Sequence, residues 1–133
     1  AKELAARARK RDKLDIVALS PLARNDFEAR WAQVQTDFVD DPARAVGTAD
    51  LLVTEVMRQR GYPVDDFERR AADISVDHPH IVENYRAAHS VHTAQERGEV
   101  NTERQREAFV HYRALFERLL DTTDNDTSKE ARA

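Results

Sequence analysis

Apolar residues recur at intervals of three and four through most of the chain and nowhere alternate for long, which predicts helices and no sheet. The first clear stripe is Ala23, Phe27, Trp31, Val34 and Phe38. It follows Ser20-Pro21, a capping side chain and then a proline suited to the first helical turn. The stripe holds three of the nine aromatic residues, which places it near the centre of the core. Val39-Asp40-Asp41-Pro42 then closes one helix and opens the next, with Asp41 as its cap. The second stripe is Ala45, Val46, Ala49, Leu52, Val53 and Val56. Gly61 is expected just beyond it in a left-handed conformation, pairing Met57 with Tyr62 in a Schellman motif.

Pro63 blocks continuation, and a short third helix should bury Val64, Phe67, Ala71 and Ile74. Asp77 is expected to cap a fourth helix, with Val76 stapled to Ile81. That helix turns Ile81, Tyr85, Ala88 and His92 inward, flanked by Val82 and His89, and ends at Gly98. Thr102 and Gln105 suit a capping box for a fifth. Its inner face is Phe109, Tyr112, Phe116 and Leu119, with Ala108, Leu115 and Leu120 beside them.

These elements predict an all-α fold, a compact bundle of about five helices, mostly antiparallel and joined by short capped turns. The 133 residues suit one domain. Three regions are expected: a basic lead-in over 1–19, with a juxtamembrane helix as one reading, the bundle over 20–120, and a disordered polar tail over 121–133.

Composition narrows the chemistry. The chain has no cysteine, so disulfides, thiol nucleophiles and thiolate metal sites are excluded. Three glycines leave no material for a phosphate-cradling loop. The net charge of −4 is unevenly spread: residues 20–120 hold eighteen Asp/Glu against thirteen Lys/Arg. That acidic body argues against a nucleic-acid partner, because phosphate binding needs a basic face. Residues 2–13 are the exception, with Lys2, Arg7, Arg9, Lys10, Arg11 and Lys13 suited to contact with anionic lipid or nucleic acid. A basic cluster beside the first residue, Ala1, is what flanks a membrane helix on its cytoplasmic side, so a membrane-associated domain on that side is expected.

Candidate sites are few. His89 and His92 lie three apart on one helix face, where two imidazoles can share a metal with His111 or Glu96. The pairs Asp40-Asp41 and Asp65-Asp66 sit at helix starts, where capping explains them. None of Ser20, Ser75, Ser90 and Ser128 stands in a glycine-flanked elbow, so no activated nucleophile is visible and the chain reads as a non-enzyme without cofactor. Arg58, Arg60, Arg69 and Arg70, with Tyr62, surround the turn at Gly61–Pro63 and are the candidate anion or partner site, with a groove beside the fourth helix as the alternative place for a protein partner. Charge reversal at Arg58 and Arg60 is expected to weaken that binding and leave the fold intact. The function expected is a non-enzymatic helical protein-interaction domain of a membrane-anchored protein, monomeric or a homodimer. The alternative is a small-ligand or metal-binding bundle using His89 and His92.

The strings Arg30-Trp31, Phe38-Val39-Asp40-Asp41-Pro42, Ala45-Val46, Ala49-Asp50, Leu52-Val53, Val56-Met57 and Arg60-Gly61-Tyr62-Pro63 carry a resemblance. So do Tyr85-Arg86-Ala87-Ala88-His89 and Tyr112-Arg113-Ala114-Leu115-Phe116. Over about residues 27–120 the chain resembles an uncharacterised, mostly actinobacterial family of hypothetical membrane or secreted proteins. The resemblance implies a hydrophobic segment ahead of the domain and attaches no activity, cofactor or catalytic residue.

Overall fold

The structure, a computed structural model, describes residues 15–132, with side chains described as far as Leu120. Its five helices are α1 (Pro21–Asp40), α2 (Pro42–Gln59), α3 (Phe67–Asp77), α4 (Pro79–Glu96) and α5 (Thr102–Arg132), and the described residues include no strand. The all-α bundle is as expected. The lead-in expectation falls mostly on residues 1–14, outside the described part, and the tail expectation lies beyond the last described side chain. No helix among the described residues is long and apolar enough to cross a membrane.

Two joints share one device. Asp41 ends α1 through its N–H to Asp37 O at 2.9 Å, and its Oδ1 accepts from Arg44 N–H at 3.2 Å to start α2. His78 likewise ends α3, its N–H donating to Ile74 O at 2.8 Å, and precedes Pro79 of α4. In both, the residue before proline is driven out of the helical region, at φ/ψ of −145/81° for Asp41 and −134/57° for His78. That restriction corrects the cap expected at Asp77, which completes α3 instead, and Val76 is left exposed rather than stapled to Ile81.

The ends of α2 and α4 are Schellman motifs. Tyr62 N–H donates to Met57 O at 2.9 Å and Gly61 N–H to Arg58 O at 3.1 Å, with Met57 and Tyr62 both buried. Glu99 N–H to Ala94 O and Gly98 N–H to Gln95 O repeat the pattern. Both glycines have positive φ, 96° and 73°. They differ in surroundings: a Cβ on Gly61 would collide with the Asp15 carbonyl oxygen, whereas one on Gly98 meets nothing within 4 Å. Gly61→Ala should therefore cost about 2 kcal/mol or more and Gly98→Ala about 1 kcal/mol, read from urea midpoints. The fifth helix is capped one residue earlier than expected, by Asn101 Oδ1 on Arg104 N–H at 2.9 Å. Gln105 turns inward and donates to Gln95 Oε1 at 3.1 Å, while Gln95 donates to Ala43 O at 2.7 Å.

The core collects the inner faces of all five helices. α2 is its spine, packing on α1, α5 and α4, while α4 lies along α5 and α3 closes against α4. α1 meets α5 through rings: Trp31 stacks on Phe109 and Phe116 at centroid distances of 5.1 and 5.0 Å, and Phe38 tilts on Phe109 at 4.5 Å. That ring order runs α1 antiparallel to α5. Exposed ion pairs Arg30–Glu55 and Arg86–Glu68 bridge α1 to α2 and α4 to α3, and contribute at most about 1 kcal/mol each.

Candidate functional site

The turn after α2 does not present its five candidate residues on one exposed surface. Arg58 is exposed and paired with Asp65 at 3.1 Å, and Arg69 is exposed and paired with Asp66 at 2.9 Å. Arg70 is largely covered and reaches Asp73. Tyr62 is buried, its hydroxyl 3.4 Å from His78 Nδ1. Arg60 is wholly buried. Its Nε donates to Val17 O at 2.8 Å, its Nη1 to Leu119 O at 2.9 Å, and its own carbonyl accepts from Val17 N–H at 2.8 Å. Arg60 thus clamps the segment ahead of α1 and the packed part of α5 to the end of α2. The five residues include two core elements, and each exposed arginine is matched by an aspartate.

The histidines are also divided. His111 Nδ1 lies 3.0 Å from Asn84 Oδ1. His92 Nε2 is 3.9 Å from Glu96, and its buried Nδ1 has no hydrogen-bond partner among the described residues. Among the described residues no three His, Asp or Glu side chains are placed to hold a metal ion. His89 and His92 are thus not brought together with His111 or Glu96 as one ligand group among the described residues.

His89 belongs instead to a polar centre that periodicity passes over. Asp50, on α2 and only 7% exposed, accepts on Oδ2 from His89 Nδ1–H of α4 at 2.8 Å and from Tyr112 O–H of α5 at 2.5 Å. Tyr85 stacks on the His89 ring, centroids 5.1 Å apart. Burial pushes the Asp50 carboxyl up, but the bonds from His89 and Tyr112, with the charges of His89 and His92, outweigh it and hold it below its ordinary value of 3.8. The bond to Asp50 raises His89 above its ordinary 6.5 against burial, helped by the charges of Asp50, Glu68 and Glu96. Burial and the neighbouring carboxylate drive the Tyr112 hydroxyl far above the usual phenol range.

The pH dependence follows. His89 stabilises the fold fully below about 6.5 and loses that contribution as pH rises through its raised value. Asp50 stabilises it above about 3.8 and loses that as pH falls through its depressed value. Thermal midpoints should peak between these limits, and His89→Gln should flatten the fall on the alkaline side.

The third feature is an open cleft of about 260 Å³ between α1 and α5. Trp31 and Phe116 form its floor with Leu120, and Glu28, Gln35 and Glu117 stand at its edges. The floor residues are 3–6% exposed, whereas the edge residues are exposed. Small-molecule pockets occupy roughly 300–1,000 Å³, so this volume suits a few side chains better than a cofactor. Periodicity sorts its lining into core and surface and goes no further, because a cleft between two helices leaves no mark on either stripe alone.

Comparison with protein-family models, with curated proteins and with solved structures gives no match to this chain.

Proposed function

We propose that this chain is a non-enzymatic helical protein-interaction domain that takes an apolar segment of a partner into the α1/α5 cleft. The aromatic floor of Trp31 and Phe116 carries the reading. In helix-in-groove recognition an amphipathic helix lays its apolar face into such a groove, and aromatic side chains are frequent contributors to the binding energy. Four of the other candidate groups already have structural work. His89 and Tyr112 serve Asp50, His111 serves Asn84, and Arg60 serves two carbonyls.

A photo-crosslinker at Gln35, on the cleft edge, should capture one stoichiometric partner in the native host. Ala32→Phe, which fills the cleft from its exposed α1 wall, should abolish that capture and leave the circular dichroism unchanged. Equal capture from a crosslinker at exposed Arg97, past the end of α4, would count against the site.

A further inference from the structure

We propose that the segment received by the α1/α5 cleft is a basic amphipathic helix, its apolar stripe on Trp31, Phe116 and Leu120 and its flanking Lys or Arg side chains on Glu28 and Glu117. This rests on the interaction reading above and names the chemistry of the partner.

The shape comes first. The α1 wall presents residues 28, 31, 32 and 35, which is the i, i+3, i+4, i+7 face of about two helical turns. At about 1.5 Å rise per residue that wall runs roughly 10 Å. It offers room for two or three anchors of a partner helix in the same spacing. Ala32, exposed in mid-wall, adds no bulk against an approaching backbone.

Charge decides which helix. One carboxylate stands on each wall, Glu28 on α1 and Glu117 on α5, and among the described residues no Lys or Arg lines the cleft. A helix lying in the groove turns one flank toward each wall, so cationic residues on both flanks meet an acid. Glu28 and Glu117 have neighbours in their own helices, Arg24 at 3.9 Å and Arg113 at 3.3 Å, each one turn back. Such i,i+4 pairs on a helix surface are worth about 0.3–0.5 kcal/mol, so an incoming cation can compete for either carboxylate. The field of the whole body has the same sign, with eighteen acids against thirteen bases over residues 20–120. An acidic helix entering the cleft would meet both carboxylates and that field.

The chain has a single tryptophan, and Trp31 is on the cleft floor, so its emission reports occupancy directly. The full chain would be titrated with three synthetic helical peptides that share one leucine stripe and carry lysine, glutamine or glutamate on the polar face. The lysine peptide should change Trp31 emission saturably and bind about tenfold more tightly than the glutamine peptide, with glutamate weakest. In the double variant Glu28→Lys, Glu117→Lys, whose two sites are exposed, the order should reverse while circular dichroism stays the same. Equal affinity for all three peptides would overturn the basic-partner assignment and leave the interaction reading standing. No saturable change with any peptide would overturn both. An emission change that follows protein concentration with no peptide present would make a second copy the occupant, which also overturns the proposal.

Discussion

Arg60→Ala is expected to lower the unfolding free energy by about 3–5 kcal/mol, the largest effect of truncating any single arginine in this domain. The side chain is wholly buried and binds Val17 O and Leu119 O, so its removal leaves a cavity and two acceptors without these donors. The guanidinium carbon also lies 6.0 Å from the Tyr62 ring centroid, and the truncation abolishes that cation–π attraction too. Domains of this size are stable by about 5–15 kcal/mol, so the variant should be partly unfolded at modest urea. Arg60→Lys should recover only part of the stability, because one ammonium cannot span two carbonyls as the planar fork does. Arg58→Glu, two residues away but exposed, should shift stability by no more than about 0.5 kcal/mol. Equal effects at residues 58 and 60 in urea denaturation would contradict the clamp. The charge reversal expected from sequence to spare the fold is therefore safe at Arg58 alone.

Asp50→Ala is expected to cost about 3–5 kcal/mol as well, for a different reason. It strands the fully buried Tyr112 hydroxyl and removes the carboxylate whose bond raises His89 above its ordinary value. Asp50→Asn separates the two effects. The amide oxygen can still accept from Tyr112, so the cost should fall to about 1–2 kcal/mol. The negative charge is gone, so His89 should titrate near or below its ordinary value, and the alkaline loss of stability should shrink. A double-mutant cycle of Asp50→Asn with Tyr112→Phe would give the coupling between α2 and α5. An NMR titration of His89 unchanged by Asp50→Asn would remove the carboxylate as the cause of its raised value.

Asp50 also shows how far the stripes can be read. It lies four residues after Val46, three before Val53 and seven before Met57, all buried, so a carboxylate stands in the middle of an apolar face. A single acid at such a place needs internal partners. The sequence contains Tyr112 and His89 on inward-facing stretches, yet nothing in it says that they meet one oxygen of Asp50. That meeting depends on how α4 and α5 are rotated against α2. Arg60 had no comparable signal, since Arg58 and Arg60 flank the same glycine and look alike until the turn is built.

Local rules were sufficient for the helices and most of their ends. Ser20, Asp41, Gly61 and Gly98 act where their chemistry places them, since a cap or a positive φ is settled by a few neighbouring residues. The inner faces of α1, α2, α3 and α5 follow largely from spacing, because burying an apolar stripe is the main stabilising act available to a helix, whereas on α4 Val91 is buried and His92, expected inward, is only partly covered. Where two local rules competed, at Asp77-His78-Pro79, the steric limit imposed by proline prevailed over capping preference. The sites were decided at longer range. The buried clamp of Arg60 joins residues 43 and 59 positions apart, and the Asp50 centre joins residues 39 and 62 apart. The cleft exists only because the Trp31, Phe109 and Phe116 rings set the approach of α1 to α5. Periodicity tells which side of a helix faces inward, but not which residue of another helix it meets there; that is set by the packing of all five stripes at once.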